Sequence, residues 1–163
     1  TATFSGKRTA LLDDGTVVTE GAAIGLYLAD RYSYGKLAPK HDDPLRGTYL
    51  RWAFFAPSVI EPGAMAKLSG WTYKPGQAGW GEHAAMIQTI EHAISGRDFL
   101  LGKQFSMADV VFGGTLRYML LFKMIEEKAA FTNYVGRLNE RPAYRRADAR
   151  NLEVMQAHGL QRS

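Results

Sequence analysis

Glu20 and Gly21 stand between a β-branched run, Thr16-Val17-Val18-Thr19, and a segment in which Ala23, Ile24, Tyr27 and Leu28 recur at helical spacing. A helix starting there presents unpaired first-turn amides and the positive end of its dipole, a ready site for an anion. Glu20 suits the positive first turn and can stabilise the helix dipole, worth roughly 0.3–1 kcal/mol. Gly21 offers a backbone amide or simply close packing. A second group of candidates is aromatic: Tyr49, Trp52 and Phe55 at helical spacing, with Tyr118 later in the chain. They either wall an apolar ligand pocket or belong to the core. Trp71, Tyr73 and Trp80 lie in a Gly-rich stretch and fit less readily into a core.

Ser106 and Asp109 make the best-defined local motif, within FSMADV. Ser106 can cap a helix while Asp109 reaches back to the amide of Ser106, as in a capping box, with Phe105 and Val110 at the positions of a hydrophobic staple. This geometry makes both residues structural rather than catalytic. Other chemistries are missing from the sequence. With no Cys there is no thiol nucleophile, disulfide or zinc–thiolate site. His41, His83, His92 and His158 show no metal-ligand spacing, and neither a phosphate-binding loop nor a nucleophile elbow occurs. No metal is expected.

The elements that must position these residues follow from the pattern. Thr9 to Leu12, Asp13-Asp14-Gly15 and Thr16 to Thr19 predict a β-hairpin, since Asp-Gly favours the tight hairpin turn. Thr19 is the expected N-cap of the next helix, and Gly35 its stop. Residues 36–44 form a polar, proline-bracketed connector, after which every element is helical. The helix from Leu45 to Ile60 should kink at Pro57. Residues 71–81 read as a loop. Further helices are predicted over residues 82–95, 106–122, 126–140 and 143–158, the one after Ser106 being the central one.

The chain of 163 residues is 46% hydrophobic with a net charge of +4, an ordinary globular composition that excludes collagen-like and strongly disordered classes. Residues 1–43 carry five Lys/Arg against six Asp/Glu, and the remainder fifteen against ten. The late excess at Arg137, Arg141, Arg145, Arg146 and Arg150 is interleaved with Glu140, Asp148 and Glu153 and has no aromatic platform. It reads as a solvated helix face, and no nucleic-acid partner is expected. Apolar runs are too short for a membrane span, and the N-terminal residues show no signal-peptide pattern, which makes cytoplasm the expected compartment.

Together, TALLDDGTVVTEGAAIGLYLADRY, DPLRGTYLRWAFFAPSVIEP, FLLGKQFSMADV and NYVGRLNERPAYRRA resemble successive pieces of glutathione S-transferases, in family order over nearly the whole chain. DPLRGTYLRWAFFAP points towards the bacterial members. The resemblance implies a mainly α fold. Residues 1–36 would be the last part of a thioredoxin-like glutathione-binding domain, 37–44 a linker and 45–163 the all-helical domain. It also implies glutathione as substrate, a small apolar electrophile as its partner, and a homodimer. Glutathione-binding positions would be Arg8, Thr9, Glu20 and Gly21, and Tyr49, Trp52, Phe55 and Tyr118 would form the electrophile pocket.

Three departures stand out. The strand–helix–strand opening that carries the family's catalytic Tyr, Ser or Cys has no counterpart in these residues. Arg8-Thr9 occupies the Val-Pro step, where the family has a cis-proline; a cis bond to Thr9 would cost about 3 kcal/mol, so trans is expected. Glu20-Gly21 replaces the family's Glu-Ser pair and loses a hydroxyl that contacts the γ-glutamyl carboxylate.

A non-catalytic binding module of the same fold, or a helical domain whose basic end meets an acidic partner, are the alternative readings. The homodimer also has a sequence argument. Apolar residues between Leu45 and Ile60 cover more of the helix than one core requires, and Arg46 and Arg51 suit an interface rim. The hairpin, with an incomplete sheet, is expected to be weakly ordered.

Overall fold

The computed structural model describes residues 9–74 and 76–160. Strands β1 (Ala10–Asp13) and β2 (Thr16–Thr19) pair antiparallel, with Ala10 opposite Thr19 and Asp13 opposite Thr16. The turn is made by Asp14 (φ 48) and Gly15 (φ 78), both left-handed, the combination that matches the twist of a two-residue hairpin. Leu12 and Val17 face each other across the pair and are 72% and 57% exposed.

Helix α1 (Gly21–Tyr32) holds the hairpin through its last turn. Tyr32 donates to both carboxylate oxygens of Asp13, at 2.6 and 2.8 Å, and Arg31 pairs with Asp13 and Asp14. The N-cap is Glu20, with φ 69 and ψ 121, and not Thr19 as expected. The chain turns from strand to helix inside Glu20, which pushes the cap one residue along. At the other end the helix stops at Tyr32, and the left-handed Gly35 serves the following turn, where Tyr34 bridges to Ala38.

The connector is built into the fold. Ala38 and Pro39 are fully buried. The carbonyl of Leu37 accepts from Met107, and that of Pro39 accepts from Arg46 at 2.9 Å. Within this polar, proline-bracketed connector the Leu37-Ala38-Pro39 step is the part that packs.

Helix α2 (Arg46–Phe55), a π-helical turn (Ala56–Ile60) and α3 (Glu61–Leu68) form one run of helix. The disruption expected at Pro57 takes the form of that wider turn. The amide of Glu61 reaches the carbonyl of Ala56, five residues back, so a residue without an N–H is absorbed and the helix goes on.

After the loop come α4 (His83–Ile94), α5 (Met107–Leu121), α6 (Ala129–Asn139) and α7 (Pro142–Ala157). Helix α6 starts three residues later than the periodicity suggested, behind a turn in which Lys123 is left-handed. Helix α5 is central, packed against α1, α2, the π turn and α6. Around it Phe112 meets Trp52 edge-on at 5.7 Å and Tyr134 at 6.2 Å, an arrangement favoured by the ring quadrupoles. Gly113 lets Leu138 of α6 sit where a Cβ would be. Helix α7 has no buried residue. Among the described residues no helix is long and apolar enough to cross a membrane.

The two apolar sides of α2 are largely used within the chain. Tyr49, Trp52, Ala53, Ala56 and Ile60 are buried, while Leu45 and Phe54 are the large apolar side chains left exposed.

Candidate functional site

A groove of about 620 Å³ opens at the start of α1, bounded by Glu20 and Gly21, by Phe54, Pro57 and Glu61 of the α2–α3 run, and by Val110, Val111 and Thr115 of α5. Its chemistry is uneven. At one end the amides of Gly21, Ala22 and Ala23 precede the first helical bond, from Ile24 to the carbonyl of Glu20, and no acidic residue lies in the helix's first turn. Unpaired amides and the helix dipole make that end suited to a carboxylate. Glu20 stands beside it in a left-handed conformation that costs a non-glycine residue on the order of 1–3 kcal/mol, a strain that recurs at ligand-binding positions. Gly21 has open space where a side chain would project, so neither packing nor an unusual φ demands glycine here.

The rest of the groove is mostly apolar. Phe54 is 54% exposed and lies on its α2–α3 side. Glu61 supplies a carboxylate there, accepting from the hydroxyl of Thr115 at 3.1 Å.

Of the aromatic residues expected to wall one pocket, Tyr49, Trp52 and Phe55 sit in or against the core, and Tyr118 lies apart from them. Tyr49 is fully buried, its hydroxyl without a partner, and burial pushes its pKa up to about 12. Trp52 is also core, 5.3 Å from Phe55 and 5.7 Å from Phe112. Tyr118 is 53% exposed on α5, against Phe122, and borders a neighbouring hollow with Met65, Met119 and Met124. The correction has a plain cause. With α1 and α5 packed on α2, the face carrying Tyr49 and Trp52 turns inward and Phe54 is left facing the groove. Phe54, Pro57, Glu61 and Thr115 were missed, because a helix apolar on two sides does not say which side stays open. Thr9 is exposed ahead of β1, and Arg8 lies outside the described residues.

Ser106 and Asp109 form a capping box at the start of α5, both fully buried. Oδ2 of Asp109 accepts from the amide of Ser106 at 2.9 Å and from its hydroxyl at 3.0 Å. Oδ1 accepts from the amide of Leu100 and the hydroxyl of Tyr134, both at 2.8 Å. Burial pushes the Asp109 carboxyl up against the opposing pull of these donors. With all four bonds used to join α5, α6 and the loop before α5, the carboxyl has a binding role within the fold. Phe105 packs against Phe99, and Val110 is about half exposed. Among the described residues no group of three or more potential metal ligands comes together.

No protein-family model matches the chain. A curated relative does: "Glutathione S-transferase GstA" from Escherichia coli O157:H7 is 30% identical over 139 residues, spanning 81% of this chain and 67% of that protein. Among solved structures, a glutathione S-transferase from Actinobacillus pleuropneumoniae superposes with a TM-score of 0.72 at 23% identity, over 89% of this chain and 69% of its own. A sphingomonad glutathione S-transferase complexed with glutathione gives 0.64 at 26% identity, over 93% and 74%. A shared fold over most of this chain, with 30% sequence identity to a relative of which the chain spans two thirds, leaves one conclusion. The chain belongs to the glutathione S-transferase family.

Proposed function

We propose that this chain binds glutathione at the start of α1 and presents the apolar groove beside it to a small electrophile, as part of a glutathione transferase. The observation that carries this reading is the polarity of the groove. Its amide-lined end suits the γ-glutamyl carboxylate, with Glu20 placed to meet the adjacent ammonium. Its other end, past Phe54, Pro57 and Val111, suits an apolar body.

In the proposed reaction the glutathione thiolate forms a carbon–sulfur bond to the electrophile, which either expels a leaving group with the displaced electron pair or accepts that pair. Stabilising the thiolate requires a hydrogen-bond donor at the sulfur. None of the residues of this chain is assigned that task. The part played here is to anchor one end of glutathione and exclude water from the electrophile. We further propose a homodimer, with the exposed Leu45, the N-cap of α2, on its interface.

The test is isothermal titration with glutathione and then with S-hexylglutathione, whose alkyl chain would lie along the groove. Saturable binding of both, tighter for the alkylated form, supports the reading, and folded protein that binds neither sinks it. Binding without conjugation of an aromatic chloride supports the non-catalytic module instead. Sedimentation at micromolar concentration tests the dimer: a single species near 18.1 kDa removes it.

A further inference from the structure

Trp71, Tyr73 and Trp80 take no part in the glutathione groove. Helix α3 carries the chain from Glu61, on that groove, to Leu68, roughly 10 Å further along its axis. The loop that follows folds around a hollow of about 530 Å³, walled by the three rings and bordered by Thr72 and Gln77. Neither the hairpin nor α1 contributes to its lining. The volume is in the range of small-molecule sites.

Two of the rings are fixed. Tyr73 donates its hydroxyl to the carbonyl of Gly81 at 3.0 Å and accepts from the indole N–H of Trp80 at 3.2 Å. Their rings meet edge-on at 5.9 Å. The buried Gly63 of α3 makes room beside Trp80, whose Cδ1 lies 3.5 Å from where a Cβ would stand. Trp71 differs. Its amide donates to the carbonyl of Ala66 at 2.9 Å, which ties its backbone to the end of α3, yet it is 62% exposed. Its ring meets no other ring among the described residues. Gln77 accepts the amide of Lys74 through Oε1 at 2.9 Å, which orients its side chain and leaves its NH₂ group to donate.

This chemistry selects among ligands. Among the described residues no charged side chain lines the hollow, so it neutralises neither a cation nor an anion. A proline-rich peptide needs donors for its exposed carbonyls, and the Tyr73 hydroxyl and Trp80 N–H are already engaged within the loop. A neutral sugar ring matches what remains. Its axial C–H bonds, polarised by the neighbouring oxygens, suit the negative face of an indole. Its hydroxyls donate and accept, which answers both the amide of Gln77 and the hydroxyl of Thr72.

We propose that this loop binds a neutral pyranose, as in a β-linked glucose oligosaccharide, with the C–H face of one sugar ring on Trp71 and its hydroxyls on Gln77 and Thr72. The site does not depend on the glutathione reading.

The test titrates the full chain with cellotetraose, by tryptophan fluorescence and by isothermal titration. Sorbitol is the control, an open-chain polyol with hydroxyls but no flat C–H face. Cellotetraose should saturate and sorbitol should not. Trp71→Ala should weaken binding at least about tenfold, since the whole stacking face is removed. Trp71→Phe, which keeps a ring face, should retain most of it. Gln77→Ala should cost about two- to tenfold, the loss of one hydrogen bond. Both positions are exposed, so the melting temperature of each variant and its response to glutathione should match those of the parent. No saturable binding of cellotetraose overturns the proposal. So does an equal response to sorbitol, an affinity that survives Trp71→Ala, or a proline-rich peptide that binds more tightly than the sugar.

Discussion

Tyr134 donates its hydroxyl to Oδ1 of Asp109 at 2.8 Å, both residues being fully buried, and so ties the middle of α6 to the first turn of α5. The same oxygen takes the amide of Leu100, while Oδ2 closes the cap with Ser106. One carboxyl therefore joins segments that are far apart in sequence.

Removing that carboxyl leaves buried donors without partners, each costing about 1–3 kcal/mol. Asp109→Ala should therefore destabilise far more than Tyr134→Phe, which loses a single bond worth about 1.5–3 kcal/mol if the carboxyl is ionised. Ser106→Ala should cost roughly 1 kcal/mol, the usual value of a cap. Urea unfolding of the three variants checks the ranking, and an Asp109→Ala protein as stable as Ser106→Ala would contradict it.

Gly113→Ala should destabilise the protein, although alanine is favoured over glycine in a helix by about 1 kcal/mol. Its Cβ would collide with Leu138, and overpacking of this kind costs typically 1–3 kcal/mol. The neighbouring Gly114 faces open space, and Gly114→Ala should follow the helix preference and stabilise. Opposite shifts in melting temperature for adjacent substitutions are the expected result.

Tyr49→Phe should raise stability by about 1 kcal/mol. The hydroxyl of Tyr49 is buried without a hydrogen bond, and deleting an unsatisfied polar group removes its desolvation cost. A loss of stability in thermal unfolding would show that the hydroxyl has a partner in solution.

His83 predicts a pH dependence. Its Nε2 is buried without a partner, and burial, followed by the charge of Lys67, lowers its pKa from 6.5. The folded state thus favours neutral imidazole. The resulting stability is fully present above pH 6.5 and is lost as pH falls through the folded-state value. His83→Leu should flatten the change in melting temperature between pH 7 and pH 5, and an unaltered profile would rule out His83 as its source.

Gly21→Ser tests the glutathione end of the groove. Gly21 has open space at its Cβ position and an ordinary φ, so serine fits without strain. A new hydroxyl bond to the bound carboxylate would tighten glutathione binding by about two- to tenfold, from a net hydrogen-bond value of 0.5–1.5 kcal/mol. Weaker binding in titration would place the carboxylate elsewhere.

Local chemistry was legible in the sequence. Asp14-Gly15 specified a hairpin because so few dipeptides accept two left-handed residues in succession. FSMADV specified the start of α5 because a capping box is complete within four residues. The likeness of the four quoted segments to glutathione S-transferases located the helical bundle around them. Tertiary structure decided what periodicity leaves degenerate. The helix over residues 45–60 carries apolar residues on two sides, and only the docking of α1 and α5 buried Tyr49 and Trp52 and left Phe54 on the groove. The bonds from Leu100 and Tyr134 to Asp109 also lay beyond the local pattern, since they exist only once the loop before α5 and helix α6 have packed against its first turn. A sequence fixes which faces of an element can be buried, and the neighbours that arrive in the fold decide which of them are.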